Sequence, residues 1–291
     1  MTEIHTPSRR EFRFFERLRV RWAEIDAQQI VFNGHYLSYF DTAVGGYWRA
    51  LALPYAATMQ ALDGDLFVRK ATLEYLDAAR YDEQLDVGVR CERVGSSSMT
   101  LRCAVFRGEV CLVHGELVYV FADAVQRVPK PVPQGLRSVL QGFEKGESMV
   151  QVTVGDWARL GAEAGPIRQA VFVDEQKIPA EMEWDSADAS CLHALALNRL
   201  GRPLATGRLL EHVPGVAKIG RMAVLAPMRG SRVGREVLEA LMQAGRERGY
   251  REVLLHAQLS AEGFYTRADF QRRGPVFEEA GIQHVEMVRG L

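Results

Sequence analysis

The sequence predicts an α+β protein of two dissimilar domains. In the first part of the chain, one long helical stretch is followed by runs that alternate with period two. A proline-rich break near residues 127–150 interrupts that pattern, and beyond it helices and strands alternate. The length of 291 residues suits two cores better than one.

The break is the segment RVPKPVPQGLRS, residues 127–138, whose three prolines and glycine cannot continue a central strand. A short apolar segment follows (Val139, Leu140, Phe143), and then EKGES reads as a solvated linker. The expected domains are therefore residues 1–145 and 146–291. No internal repeat relates them.

Within the first domain, residues 18–22 alternate as a short strand. From His35 to Leu53 the apolar residues Leu37, Phe40, Val44, Tyr47, Trp48 and Leu51 recur at helical spacing. Gly45 and Gly46 lie inside that helix at about 1 kcal/mol each, tolerable where another backbone passes close by. Leu85, Val87, Val89 and Cys91 then share one strand face, as do Met99, Leu101, Cys103 and Val105. Cys111, Val113, Leu117, Tyr119 and Phe121 form another, with Gly115 as the gap. The breaks at residues 95–98 and 107–109 suit hairpin turns. A helix followed by such a meander predicts a curled sheet wrapped around that helix.

The second domain opens with a strand over 150–154 and helical stretches over 157–163 and 167–173. A hairpin of 192–197 and 204–210 comes next, and then a strand over 217–224. Residues 231–248 form a strong amphipathic helix, followed by a strand over 252–258, a short helix near 261–267 and closing strands.

Charge excludes one class of function. Lys and Arg number 36 against 37 Asp and Glu, for a net charge of −1. Residues 1–145 hold 18 basic and 18 acidic residues and the remainder 18 and 19, so neither domain has the basic excess of a nucleic-acid binder. No apolar run reaches the ~18 residues of a membrane span. The polar opening MTEIHTPSRREFRFF lacks a secretory leader's apolar core. Cys91, Cys103, Cys111 and Cys191 form no CxxC pair, and three of them lie in apolar strand-like runs, as small buried hydrophobes do. With scattered histidines, this predicts a cytoplasmic protein without a metal site.

The first chemical constellation is V20-R-W-A-E-I-D26-A-Q-Q-I-V-F-N-G-H-Y-L37. Asp26 stands where a strand gives way to a helix. A carboxylate there can act as nucleophile or general base on a carbonyl, while the free N–H groups of a helix beginning near Asn33 face the developing oxyanion. A turn-capping aspartate gives the same pattern, and spacing alone does not separate the two. The stretch from Leu18 to Phe121 resembles the 4-hydroxybenzoyl-CoA thioesterase branch of the hotdog fold. That resemblance implies that Asp26 is the catalytic aspartate and that a backbone amide at Asn33 polarises the thioester carbonyl. In one subgroup the Asn33 position is histidine. Gln29 stands where glycine is usual, His35 where asparagine is common and Trp22 where tyrosine is frequent. The resemblance also implies subunits that pair through sheet edges, in a homo-oligomer of two or four chains with active sites between protomers. An open sheet with exposed edges leads to the same expectation.

The second constellation is I219-G-R-M-A-V-L-A-P-M-R-G-S-R-V-G-R-E-V-L238. An apolar strand bends at Ala226-Pro227 and passes through Arg229–Gly234 into the amphipathic helix, whose stripe is Val233, Val237, Leu238, Leu241 and Met242. Glycines at a helix start let backbone approach a ligand, and the free N–H groups suit a pyrophosphate. Arg229, Arg232 and Arg235 add charge at that end. A glycine-punctuated surface loop before an ordinary helix is the other reading. The loop resembles the acyl-CoA loop of Gcn5-related N-acetyltransferases (GNAT), Arg/Gln-x-x-Gly-x-Gly/Ala, with Arg229, Arg232 and Gly234 in the first, fourth and sixth places. Arg232 replaces the central glycine. H256-A-Q-L-S-A-E-G-F-Y265-T-R-A-D-F270 resembles the segment whose tyrosine protonates the departing CoA thiolate, which assigns that role to Tyr265. Asp269 stands where glycine is common. R168-Q-A-V-F-V-D-E-Q-K-I-P179, E183-W-D and F277-E-E-A-G-I-Q-H-V-E-M287 resemble the ElaA-like branch.

The resemblances imply a hotdog acyl-CoA thioesterase followed by a GNAT acetyltransferase acting on an amine, small molecule or peptide. Neither chemistry needs a tightly bound cofactor or metal, and acyl-CoA and acetyl-CoA enter as substrates. The strand residues Met222, Ala223 and Val224, with Arg229, Gly230, Ser231, Arg232, Val233, Gly234 and Arg235, are the expected CoA-binding set. Glu211 and His212 are the candidates for the base that deprotonates the amine. Glu175 and Asp185 either face the amine or solvate loops; Asp188 and His193 read as structural. A CoA-binding or dimerisation module without catalysis is the alternative for either half.

Overall fold

A computed structural model describes residues 6–291. The chain divides into two compact units, Met1–Met149 and Val150–Leu291.

The first unit is a five-stranded antiparallel sheet, β1 (Phe14–Arg19), β2 (Asp65–Tyr75), β3 (Gln84–Val94), β4 (Ser98–Arg107) and β5 (Val110–Ala122), in the order β1-β3-β4-β5-β2. The sheet curls around α1 (His35–Ala50), the hotdog arrangement. Tyr36, Tyr39, Phe40, Ala43, Val44, Tyr47 and Trp48 are buried, which is one helix face at i, i+3, i+4 spacing. Leu37, expected on that stripe, is 40% exposed, because the face it occupies meets no sheet in this unit.

The first strand lies earlier than residues 18–22. Phe14–Arg19 pair with residues 84–89 on β3, whereas Trp22–Glu24 turn into a 3₁₀ helix. Helix α2 (Tyr55–Ala61) and edge strand β2 carry no clear period in sequence, since β2 is exposed over much of both faces. Gly46 lies against β1, where a Cβ would meet the Glu16 carboxylate and the Phe14 ring, whereas a Cβ at Gly45 meets open space. Side chains therefore require the glycine at 46, and nothing crowds 45.

Gly115 has the tightest approach. A Cβ there would stand 1.8 Å from the Thr72 carbonyl oxygen of β2. Gly115→Ala must push β5 and β2 apart and is expected to destabilise by about 3 kcal/mol. A shift in the denaturant midpoint at constant m-value measures this, and an unchanged midpoint removes the packing argument.

The proline-rich break also holds more structure than a linker. Gln134–Glu144 form α3 behind Pro133. Its Arg137 guanidinium donates to the carbonyls of Val94 and Gly95, both at 2.7 Å. Its Glu144 carboxylate accepts from the Tyr47 hydroxyl at 2.6 Å and the Cys91 N–H at 2.8 Å. These long-range bonds make α3 part of the first unit.

The second unit is a seven-stranded mixed sheet with the strand order β11-β12-β10-β9-β8-β7-β6. The strands are β6 (Val150–Gly155), β7 (Leu192–Asn198), β8 (Pro203–Val213), β9 (Val216–Val224), β10 (Glu252–Gln258), β11 (Gln271–Glu279) and β12 (Ile282–Gly290). Helix α4 (Trp157–Arg168) is capped by the Asp156 carboxylate, which accepts the Arg159 N–H, and continues as a π-helical turn over Gln169–Glu175. Leu160, Ala164, Ile167, Val171 and Phe172 from this helix pair pack with Leu195 and Ala223 of the sheet. The short α5 (Ala180–Glu183) comes next. Helix α6 (Val233–Glu247) buries Val233, Val237, Leu238, Leu241 and Met242, the stripe expected of it.

One feature of this sheet makes a site. Strands β9 and β10 run parallel and pair only over Val216–Lys218 with Glu252–Leu254, although β9 continues to Val224 and β10 to Gln258. Beyond the third pair the strands part. Between them lies the wedge that holds the cavities described next.

Two candidate active sites

In the first unit, residues 25–31 fold back on themselves through an isolated bridge between Ile25 and Val31. The Asp26 N–H donates to Ile30 O at 2.9 Å, and the Gln29 N–H to Asp26 O at 3.0 Å. Gln29 sits at φ 62°, the left-handed region that explains why glycine is usual there. The Asp26 carboxylate Oδ1 accepts the Gln28 N–H at 2.7 Å, so Asp26 does cap the turn. It also lines a groove of about 570 Å³ with Ile30, Val31, Phe32, Asn33, Tyr36 and Tyr75.

The entry to α1 faces the same groove. The Val31 N–H bonds to Ala79 O, the Phe32 N–H to Glu24 O and the His35 N–H to Phe32 O. Among the described residues the N–H groups of Asn33 and Gly34, lying between them, donate to nothing. Tyr75 and Tyr36 hold the entry in place, the Tyr75 hydroxyl donating to Asn33 O at 3.2 Å and the Tyr36 hydroxyl accepting the Ala79 N–H at 2.9 Å. The groove thus combines a carboxylate, two unsatisfied backbone donors and an aromatic wall. Trp22 is 70% exposed and meets Tyr81 edge to face, and His35 lies beside Phe32.

Sequence reasoning missed Glu24. It is buried, and its carboxylate accepts from the Tyr39 hydroxyl, the Arg21 N–H and the Arg21 guanidinium at 2.7–2.8 Å. Burial alone pushes its pKa up, but these donors together outweigh it and hold the carboxyl below the usual range. Glu24 pins the segment that carries Asp26. The sequence signal was an acidic residue three places after Arg21, the spacing of a capped turn.

In the second unit, two cavities meet in the wedge between β9 and β10. The larger, about 720 Å³, is lined by Met222, Val224, Arg229, Gly230, Arg232, Gly234 and Arg235 from the expected CoA-binding set. Ala223, Ser231 and Val233 do not line it. Ala223 and Val233 are buried, and the Ser231 hydroxyl closes the loop by donating to Met228 O at 2.6 Å. Gly234 is where α6 crosses the strand, for a Cβ there would stand 2.9 Å from Val224. Arg229 is not a free cation, because it makes a two-pronged pair with Glu175 at 2.6 and 2.7 Å that lowers the Glu175 pKa. Arg235 pairs with Glu239 one turn on. Arg232 has no ion pair among the described residues and caps the helix at φ 73°.

The second cavity, about 390 Å³, lies on the other side of Met222 and is lined by Glu183, Asp185, Arg208, Lys218, Arg221, His256 and Glu279 among others. Tyr265, Gln176, Met222, Gln258 and Ala261 line both cavities. The Gln258 amide donates to the Gln176 carbonyl oxygen at 2.9 Å across their junction. Tyr265, on α7 (Glu262–Thr266), is packed by the rings of Phe264 and Phe270, and burial raises its hydroxyl far above the ordinary tyrosine range.

Beneath the second cavity is an ion cluster that the sequence did not disclose. Arg168 is 1% exposed, lies over the rings of Trp157 and Trp184, and bonds to Glu183 and Asp188. Arg208 donates to Asp185 through its two terminal nitrogens at 2.7–2.8 Å and to Asp188 through one of them at 2.7 Å. Arg221 reaches Glu183 at 2.9 Å and Asp185 at 3.3 Å. The Arg208 hydrogen bond leads the causes that pull Asp185 down to about 2. Three cations and three anions balance and fix the loop over 180–190. Asp188 and His193 are structural, the His193 ring bonding to Asp188 O at 2.9 Å. Glu211 and His212 lie exposed at the far end of β8 and line neither cavity.

Comparison with known proteins gives the family that each unit matches. The thioesterase superfamily model matches residues 28–113 and the acetyltransferase (GNAT) domain model matches residues 166–291. The chain joins a thioesterase-superfamily domain to a GNAT domain. The chain is 34% identical over 132 residues to the uncharacterized protein YyaT of Bacillus subtilis (strain 168), covering 44% of this chain and 88% of that one. It is 32% identical over 124 residues to the uncharacterized N-acetyltransferase YjcF of the same organism, covering 42% and 87%. A solved thioesterase-superfamily structure from Jannaschia sp. CCS1 is similar over 47% of this chain and 96% of its own, with 20% identity and a TM-score of 0.44.

The GNAT domain's departures from glycine share one geometry. Arg232 (φ 73°) and Asp269 (φ 61°) both hold left-handed backbone, as Gln29 does in the thioesterase-superfamily domain. Arg232→Gly removes a left-handed strain of about 1 kcal/mol and adds a chain-entropy cost of about 0.5–1 kcal/mol, so stability should change little. The loss should fall on CoA binding, about fivefold at low salt and shrinking as salt rises. Calorimetric titration with CoA at two ionic strengths tests this, and equal affinity removes Arg232 from the CoA site.

Proposed function

We propose that the protein is a bifunctional acyl-CoA enzyme, hydrolysing a thioester in the first unit and transferring an acetyl group from acetyl-CoA to an amine in the second. The observation that carries the reading is the position of Tyr265, whose buried ring lines two joined cavities, one beside the start of α6 and one lined by charged side chains. The larger cavity suits CoA, with its phosphates near Arg232, Gly230 and the free N–H groups of α6. The smaller suits the acceptor amine, a small molecule or the end of a peptide. The amine attacks the thioester carbonyl at the junction, and the Tyr265 hydroxyl protonates the departing thiolate.

In the first unit Asp26 attacks the thioester or activates water, and the Asn33 and Gly34 N–H groups take the oxyanion. The exposed edges β1 and β2 favour a homo-oligomer in which a second copy completes the groove. Asp26 also supports the alternative, a CoA-binding or dimerisation module without hydrolysis, because one carboxylate oxygen already caps the turn. A panel of acyl-CoAs assayed for CoA release, with and without primary amines, tests both halves. Release without amine supports hydrolysis, and amine-dependent release supports transfer. An acyl-CoA panel that yields neither overturns the reading.

A further inference from the structure

We propose that His256 is the proton acceptor in acetyl transfer, taking its proton from the attacking amine, with Glu279 as the positioning residue that orients the ring. The inference rests on the acetyl-transfer reading above. Most of the acidic groups of the smaller cavity are already paired. Glu183 and Asp185 are tied to Arg168, Arg208 and Arg221. Glu211 and His212 lie outside both cavities.

His256 stands on β10, two residues before Gln258 at the junction, and lines the cavity that Tyr265 also lines. Its Nδ1 is 3.0 Å from Glu279 Oε2 and 3.3 Å from Lys218 Nζ. The shorter, charge-assisted contact assigns the Nδ1 proton to Glu279, which leaves Nε2 as a lone-pair nitrogen. Phe277 buttresses the ring at 4.8 Å and stacks in turn on His284.

The charged groups around His256 come from every neighbouring strand. They are Lys218 on β9, Glu279 on β11, and His284 and Glu286 on β12, with Glu286 taken by Arg273. Burial above all lowers the Lys218 ammonium's pKa; Glu279 opposes that, and the positive charges of Arg208 and Arg221 add to it. Glu279 thus sets an anion against the His256 ring within a largely cationic surrounding.

The step balances. The amine nitrogen bonds to the thioester carbon, the C–S bond breaks, and the thiolate takes the Tyr265 hydroxyl proton. The proton shed by the new C–N linkage goes to His256 Nε2, and the imidazolium faces the Glu279 carboxylate until its proton returns through solvent to the Tyr265 phenolate, which restores both groups.

The test uses the full chain, with acetyl-CoA and a panel of spermidine, glucosamine and amino-acid amides as probes. CoA release is followed over about pH 5.5–9, where a histidine changes charge. His256→Gln is expected to lower amine-dependent kcat by about 100-fold or more and to abolish the acid limb of the profile. Acetyl-CoA affinity, measured by calorimetry on the same sample, should stay within about twofold, which also reports that the variant is folded. Glu279→Gln should lower kcat by about tenfold and move the acid limb to lower pH, since it removes the anion that favours the imidazolium.

A His256→Gln enzyme within about threefold of the parent, with its acid limb intact, overturns the assignment. So does loss of the limb in Lys218→Met or His284→Gln instead, or loss of acetyl-CoA binding in His256→Gln. An unmoved limb in Glu279→Gln removes the positioning role. A parent enzyme with no amine-dependent release overturns the acetyl-transfer reading, and the base assignment falls with it.

Discussion

Asp26→Asn is expected to abolish amine-independent CoA release while leaving the domain folded. Asparagine keeps an oxygen where Oδ1 accepts the Gln28 N–H at 2.7 Å, so the turn that carries the residue survives. What it loses is the negative charge needed to attack a carbonyl or take a proton from water. Hydrolysis should fall by more than about 100-fold, and stability should change by less than about 1 kcal/mol. This pair of readouts separates the two roles open to Asp26. A turn cap alone predicts unchanged turnover, whereas catalysis predicts lost turnover in a protein with an unchanged melting profile. Hydrolysis within a few-fold of the parent removes Asp26 from the mechanism and favours the non-catalytic alternative for the first unit.

Tyr265→Phe is expected to lower amine-dependent transfer by about 10²–10⁴ in kcat. The change deletes one hydroxyl and keeps the ring that Phe264 and Phe270 pack against at 4.9 and 5.9 Å. Among the described residues that hydroxyl makes no hydrogen bond, so its loss leaves no buried partner stranded and acetyl-CoA affinity should hold. Amine-independent hydrolysis should be untouched, because Asp26 belongs to the other compact unit. Unchanged transfer means that water or another group protonates the thiolate. Lost acetyl-CoA binding marks Tyr265 as a packing residue. Loss of both activities defeats the picture of two separate sites.

Much of this protein is legible without coordinates because it is local. The helix faces of α1 and α6, the period-two runs of β3 and β4 and the strand–loop–helix unit ending at Gly234 each follow from spacing along one element. The family resemblances mark three positions where glycine is usual, Gln29, Arg232 and Asp269, and all three hold left-handed backbone. Their dihedrals are dictated by tight turns whatever the side chain, so the departure could be read before its geometry was known.

What the sequence could not carry depends on partners distant along the chain. Strand β2 is an exposed edge with no apolar period, and its place is set by the Thr72–Gly115 approach to β5. Helix α3 reads as a linker until Arg137 and Glu144 find acceptors and donors on β3 and α1. Arg229 reads as a free cation until Glu175 meets it from 54 positions away. The base candidates moved for the same reason. Glu211 and His212 lie beside the start of β9, where the sheet is closed, yet the wedge opens past Lys218, the last residue of β9 paired with β10, beside which His256 and Glu279 meet. Sequence alone determined most of the elements and the residue types proposed to carry chemistry. Tertiary structure alone decided which charges are spent on one another and which face a cavity, because ion pairing and desolvation depend on distances that strand order, not spacing, sets.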